Sequence, residues 1–187
     1  GGNLATGRDS LAGCGTQSAG LCMGGNDGSL SDVTEEYDGT SWSSGGNLAT
    51  AREKLAGCGT QSAGLCMGGT TGSASDVTEE YDGTSWSAGG SLATAREALA
   101  GCGTQTAGLC MGGTTGALSD VTEEYDGTSW SGGGNLATAR YGLAGCGTQS
   151  AGLCMGGGSV SNVTEEYDGT SWSAGGNLAT ARYYLGG

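Results

Sequence analysis

Histidine, proline and phenylalanine do not occur in this chain of 187 residues. Without histidine, the commonest general base and transition-metal ligand is missing, which counts against most hydrolytic and metal-dependent chemistry. Basic residues are scarce: 6 Lys and Arg stand against 19 Asp and Glu, a formal charge of −13. Phosphate contacts need clustered Lys and Arg, so nucleic acid is excluded as an expected partner. Anionic membrane surfaces are disfavoured for the same reason. No stretch approaches the roughly 18 apolar residues of a membrane-spanning helix, so no membrane insertion is expected. The opening "GGNLATGRDS" has neither a starting Met nor a signal-peptide pattern, as expected of processed ends or of a segment of something longer.

Glycine is abundant, at 43 residues, but it recurs at fixed places instead of being scattered. "GGNLATGR" at 1 returns as "GGNLATAR" at 45, "GGSLATAR" at 89, and "GGNLATAR" at 133 and 175. The spacing is 44, 44, 44 and then 42 residues, the fourth copy being shorter in one loop. The units are therefore 1–44, 45–88, 89–132 and 133–174, with a partial fifth at 175–187. Such periodicity is the mark of a repeat architecture.

Within a unit the pattern reads as short strands. "LAGCG" (11–15) and "AGLCM" (19–23) flank the polar turn "TQS", and "VTEEY" (33–37) follows a Gly/Ser-rich loop. "DG" at 38–39 then leads into "TSWS", which predicts a type I′ hairpin. That two-residue turn would pair Tyr37 with Thr40 and Glu35 with Trp42, and put Glu35, Tyr37 and Trp42 on one face. No segment carries a capped helical period, and frequent glycine opposes helix. The expected fold is all-β, with four short antiparallel strands per unit, the size of a propeller blade.

The glycine doublet Gly24-Gly25, then "EEYDG" with Tyr37, then Trp42, then Arg52 before the next unit, with counterparts in every unit, resembles the Kelch repeat. The wording "LATAR..LAG.GTQ.AGL..GG...TEEYDGTSW" is especially similar to Kelch-type repeats of phage and environmental tail-fibre-like proteins. The resemblance covers nearly the whole chain. It implies a β-propeller with one blade per repeat. It also implies a binding role for the loop face, at an extracellular or virion surface. A four-bladed ring is the favoured closure, because an open stack leaves exposed strand edges. Half of an eight-bladed dimeric ring, or a segment of a longer repeat chain, are the alternatives.

The units differ in two places. One follows the Arg: Asp9-Ser10, Glu53-Lys54, Glu97-Ala98, Tyr141-Gly142 and Tyr183-Tyr184. The other follows the glycine doublet, in loops holding Asn26-Asp27, Thr70-Thr71, Thr114-Thr115 and Ser159. Alternating strand direction puts both connections on one face. The candidate ligand-binding set is Asp9, Asn26, Asp27, Glu53, Lys54, Thr70, Thr71, Glu97, Thr114, Thr115, Tyr141 and Ser159. Drift in tolerant loops is the competing explanation. The opposite face, with its identical "GTQ" and "YDG" turns, offers a symmetric, multivalent surface instead.

Other residues are weighed as structure. Each unit holds an Arg (Arg8, Arg52, Arg96, Arg140) and a Glu on the aromatic face (Glu35, Glu79, Glu123, Glu165). The expectation is a structural bridge between blades, since a half-buried carboxylate needs a charged partner. Trp42, Trp86, Trp130 and Trp172 are expected to pack between blades rather than stack on sugars. The paired "EE" carboxylates point to opposite sheet faces and cannot work on one atom. Asp32, Asp76 and Asp120 lack the calcium-loop spacing, and no cofactor or metal is called for. The two cysteines of each unit lie eight apart. They are bridged if the intervening turn is odd-numbered, and are packing thiols if it is even.

These readings converge on a non-enzymatic binding or structural module that recognises a surface glycan or protein, with a homo-oligomer or larger fibre as its setting. An enzyme on a propeller scaffold is the alternative of a different class. A recently amplified or engineered repeat with no selected ligand is another.

Overall fold

The computed structural model describes residues 1–158 and 160–187. Its elements are sixteen strands in four antiparallel sheets, each sheet built from one repeat unit. Unit 1 supplies β1 (Ala12–Thr16), β2 (Ala19–Met23), β3 (Thr34–Tyr37) and β4 (Trp42–Ser44). Unit 2 supplies β5 (Ala56–Thr60), β6 (Ala63–Met67), β7 (Thr78–Tyr81) and β8 (Trp86–Ala88). Unit 3 supplies β9 (Ala100–Thr104), β10 (Ala107–Met111), β11 (Thr122–Tyr125) and β12 (Trp130–Gly132). Unit 4 supplies β13 (Ala144–Thr148), β14 (Ala151–Met155), β15 (Thr164–Tyr167) and β16 (Trp172–Ala174). Strands follow one another in chain order within each sheet. The first strands of successive units pack side by side, β1 on β5, β5 on β9 and β9 on β13.

That close packing depends on the small residues of "AGCG". A Cβ on Gly57 would meet Ala12 Cβ and the Gly13 carbonyl at 3.3 Å, and one on Gly101 would meet Ala56 and Gly57 likewise. The core lies between the sheets. Leu65, Met67, Cys110, Leu99 and Tyr125 form one cluster joining units 2 and 3, and equivalent clusters join units 1–2 and 3–4.

One turn differs from its predicted geometry. Tyr37 pairs with Trp42 and Glu35 with Ser44, so the hairpin loop has residues 38–41 rather than two residues. Asp38 is the cause: its Oδ1 accepts the Thr40 and Ser41 N–H groups, each at 2.8 Å. Only Gly39, at φ 93°, takes a left-handed conformation there, whereas type I′ needs it at both central residues. The Ser41 and then the Thr40 N–H bonds hold the Asp38 carboxyl below its usual range. The side chain thus does what a tighter backbone turn would have done. Tyr37 and Trp42 still share a face, with ring centroids 5.0 Å apart.

The cysteine question is decided by the other turn. Thr16 pairs with Ala19, an even two-residue loop, so Cys14 faces Leu21 and Cys22 faces Gly13. All eight thiols are free, and six are buried. Burial pushes Cys66, Cys102 and Cys110 from 9.0 up to about 12 and Cys154 to about 11. A raised folded value adds stability that is fully present below the ordinary value and is lost as pH rises through the folded one, here between 9.0 and about 12. The expected result of thiol titration without reductant, at mildly alkaline pH, is slow reaction of the six buried thiols in the native chain, with the part-exposed Cys14 and Cys146 reacting first, and eight equivalents in denaturant. Fewer than eight would mean bridges, and prompt native reaction of more than two would mean that the sheets open readily.

Candidate functional site

Each unit opens with a segment that its Arg nails to its own sheet. Arg52 is wholly buried. Its Nη1 donates to the Gly68 and Val77 carbonyls at 2.6 and 2.9 Å, and its Nη2 to Glu79 Oε1 at 2.9 Å and to Cys66 Sγ at 3.3 Å. The other Glu79 oxygen accepts the Ala49 N–H at 2.7 Å. Arg8–Glu35, Arg96–Glu123 and Arg140–Glu165 repeat the pair at 2.7–2.9 Å, with side chains at most 3% exposed. The bridge lies within a unit, not between units as the sequence reading expects. The segment's backbone reaches the other way: Leu48 N–H donates to Asp32 O, Arg52 N–H to Ser31 O, and Arg52 O accepts from Gly25 N–H. One short segment therefore ties unit 2 to unit 1.

Three further residues complete the joint, all of them donors on the later unit. Trp86 Nε1 donates to Thr34 Oγ1 at 2.9 Å, and Tyr81 hydroxyl to Glu36 Oε1 at 2.5 Å. Gln61 Nε2 donates to the Gly20 and Tyr37 carbonyls at 3.1 and 2.9 Å. Units 2–3 and 3–4 carry the same bonds through Trp130, Tyr125 and Gln105, then through Trp172, Tyr167 and Gln149. Trp86, Trp130 and Trp172 each bond across a joint between units. The glutamines of the uniform "GTQ" turns are joint residues too, so that face is taken up by structure from unit 2 onward. No such bonds connect unit 4 back to unit 1 among the described residues.

The residues that vary between units come together on the opposite side. Asp9 bridges Asn26, Glu53 bridges Thr70, and Glu97 bridges Thr114 as short antiparallel pairs. The loop after the Arg and the loop after the glycine doublet thus lie side by side in each of these units. Asn26 Nδ2 donates to Glu53 Oε2 at 2.7 Å, linking neighbouring units across this face. Lys54 Nζ stands 3.8 Å from Glu97 Oε1, part-exposed on both sides. Thr71 and Thr115 donate their N–H groups to the Ser73 and Ala117 carbonyls, closing the loop tips. Asp27 closes its own tip with Ser29. Tyr141 lies edge-on to Tyr184, ring centroids 5.9 Å apart. Ser159 lies outside the described residues.

The residue after each of these positions builds a feature with no sequence forecast. Ser10, Lys54, Ala98 and Tyr184 all hold φ between 51° and 54°, and Gly142 holds 59°. Their N–H groups donate in relay, Lys54 to Ser10, Ala98 to Lys54, Gly142 to Ala98 and Tyr184 to Gly142. This backbone arc rims a depression of about 370 Å³ whose floor includes Leu11, Leu55, Leu99 and Leu143. Tyr184, 58% exposed, stands at its edge, and the Tyr183 ring lies 5.3 Å from that of Tyr184. Their difference from the other units is visible in the sequence, but nothing there signals a shared rim.

Among the described residues no group of three or more His, Cys, Asp or Glu is placed to hold a metal ion. The Asp32 carbonyl is instead occupied by the Leu48 N–H. No protein-family model and no curated protein matches the sequence.

Proposed function

We propose that the chain is a Kelch-like, propeller-type array whose four sheets are blades, and that it works by binding rather than by catalysis. The ligand is a surface glycan or protein held on the variable loop face, in a viral or fibre-like assembly. The pairing of the two variable loops in one row carries this reading, because the polar groups repeated in every unit elsewhere are taken up by the unit locks and joints. Exposed Tyr184 beside a leucine-floored depression suits a sugar ring, which offers an apolar face and hydroxyl edges. Asp27, Glu53 and Glu97 on the same face favour a neutral or cationic ligand over an anionic one.

A glycan array probed with the intact chain tests the assignment against Glu53→Ala/Lys54→Ala and Tyr141→Ala. The expected result is retained folding with a loss of signal of about tenfold or more. Unchanged binding by both variants would move the site off this face.

A further inference from the structure

The joint between units is made three times, and among the described residues its donor half on unit 1 and its acceptor half on unit 4 are unmatched. At one end unit 1 presents the donors. Gln17 is exposed and Trp42 half-buried, and neither has an acceptor among the described residues, nor does the Tyr37 hydroxyl. At the other end unit 4 presents the acceptors. Thr164 Oγ1 is buried without a partner, where Thr34, Thr78 and Thr122 each accept a tryptophan N–H. Glu166 is exposed where Glu36, Glu80 and Glu124 accept a tyrosine hydroxyl. Leu153 and Met155 are half-exposed, whereas Leu65 and Met67 have no exposure at all.

We propose that a second copy of this chain docks head-to-tail, its unit 1 seated on unit 4 of the first, and that the closing segment of the first (175–187) takes the place of the opening segment of the second (1–13). The three internal joints specify every contact, since the open halves carry the same residues. Gln17 takes the Gly152 and Tyr167 carbonyls, Trp42 takes Thr164 Oγ1, and Tyr37 takes Glu166. Leu153 covers Gly20, as Leu21 covers Gly64, where a Cβ would come within 2.7 Å of the leucine.

The exchange follows from the berth being occupied. Residues 175–187 already sit on unit 4 as 45–57 sit on unit 1. Leu178 N–H donates to Asn162 O, Arg182 N–H to Ser161 O, and Arg182 O accepts from Gly157 N–H. A docking unit 1 brings residues 1–13 to the same place. Both cannot stay, but the two segments are interchangeable. Ala181 fits where Gly7 lies, because a Cβ there meets nothing within 4 Å. Tyr184 at φ 51° matches Ser10 at 54°. Arg182, exposed and without a carboxylate partner among the described residues, replaces Arg8 on Glu35 of the docking copy. Residues 1–8 are anchored by their own unit only, whereas 175–182 gain an anchor on both sides. Swapping like for like costs little, and the new joint is the gain. Release of the buried Arg8 makes the association slow.

Sedimentation equilibrium of the intact chain, incubated at high concentration, tests this. The expected mass is at least twice 18.1 kDa. Gln17→Glu sets a carboxylate against two carbonyls, and Glu166→Lys removes the tyrosine acceptor. Both positions are exposed, so folding is retained, as circular dichroism verifies. Each variant alone is expected to lose association by at least about tenfold, and an equimolar mixture to restore a species of two chains and no more. Arg182→Ala is expected to weaken association similarly, a residue to which docking without exchange is indifferent. A wild-type mass fixed at 18.1 kDa, or single variants that associate like wild type, overturns head-to-tail docking. Undiminished association of Arg182→Ala overturns the exchange.

Discussion

Replacing Arg96 by alanine is expected to destabilise the chain by about 3–5 kcal/mol, read as a shift in the urea midpoint. Arg96 has no exposed surface, and Glu123 has 1%. Removing the guanidinium leaves the Glu123 carboxylate buried without a cation. It also orphans the Gly112 carbonyl, which Nη1 satisfies at 2.7 Å, and leaves the Val121 carbonyl with the Gly112 N–H alone. The Ala93 N–H to Glu123 bond, 2.6 Å, is then the one remaining bond to that carboxylate from the segment. Arg96→Lys keeps the charge but not the fork, and a single ammonium cannot serve two carbonyls and a carboxylate together. It is expected to fall between wild type and alanine. Removing both partners, Arg96→Met with Glu123→Leu, is expected to cost less than Arg96→Ala, because no charge stays buried. A loss below about 1 kcal/mol for Arg96→Ala would mean that water reaches the pair and that it is not a lock.

The effect should be local before it is global. In a repeat array each unit touches only its neighbours, so stability is a sum of unit and joint contributions. Arg96 belongs to both kinds. Its side chain locks unit 3, and its backbone carbonyl accepts the Gly69 N–H of unit 2 at 2.9 Å. Hydrogen exchange should therefore quicken first in β7 and in β9 to β11, and later in β1 to β4.

Period and strand content were legible because four near-identical units supply their own registration. "AGCGT" and "AGLCM" become strands within a residue of expectation. The joints were less legible. Gln61 on a polar turn carries no periodic signal, and only the apposition of unit 1 reveals the Gly20 and Tyr37 carbonyls it serves. Uniformity of the "GTQ" turns was the one hint, and it admits a ligand as readily as a neighbour. The misplaced turn register has a similar origin. "DG" in a hairpin signals type I′ through backbone preference, but here the Asp38 carboxylate closes a wider loop with its own acceptor. Side-chain capping of that sort leaves the same two letters in the sequence. The Arg–Glu pair was recognisable by its chemistry, while its place within a unit depends on which sheet the opening segment covers.

A series of three glycine substitutions separates backbone strain from crowding at a joint. Gly68 holds φ 66°, and a Cβ there would lie 2.7 Å from the Arg96 carbonyl oxygen and 2.8 Å from Leu99 Cδ2. The leucine can turn aside, but the carbonyl cannot, because it is bonded to Gly69 N–H. Gly68→Ala therefore combines left-handed strain with overpacking, and the expected loss is about 3 kcal/mol. Gly72 holds φ 110° with nothing within 4 Å of an added Cβ, so Gly72→Ala carries strain alone, about 1 kcal/mol. Gly132 has neither a positive φ nor a neighbour, and Ala88 and Ala174 stand at its place in units 2 and 4. Gly132→Ala is expected to stay within about 0.5 kcal/mol of wild type. The order of the three decides the matter. If Gly68→Ala costs no more than Gly72→Ala, the glycine doublet serves only its turn. A larger loss at Gly68 makes the doublet the point where one unit's backbone admits the next, the contact that Gly156 and Gly157 already make with Arg182 at the end of unit 4.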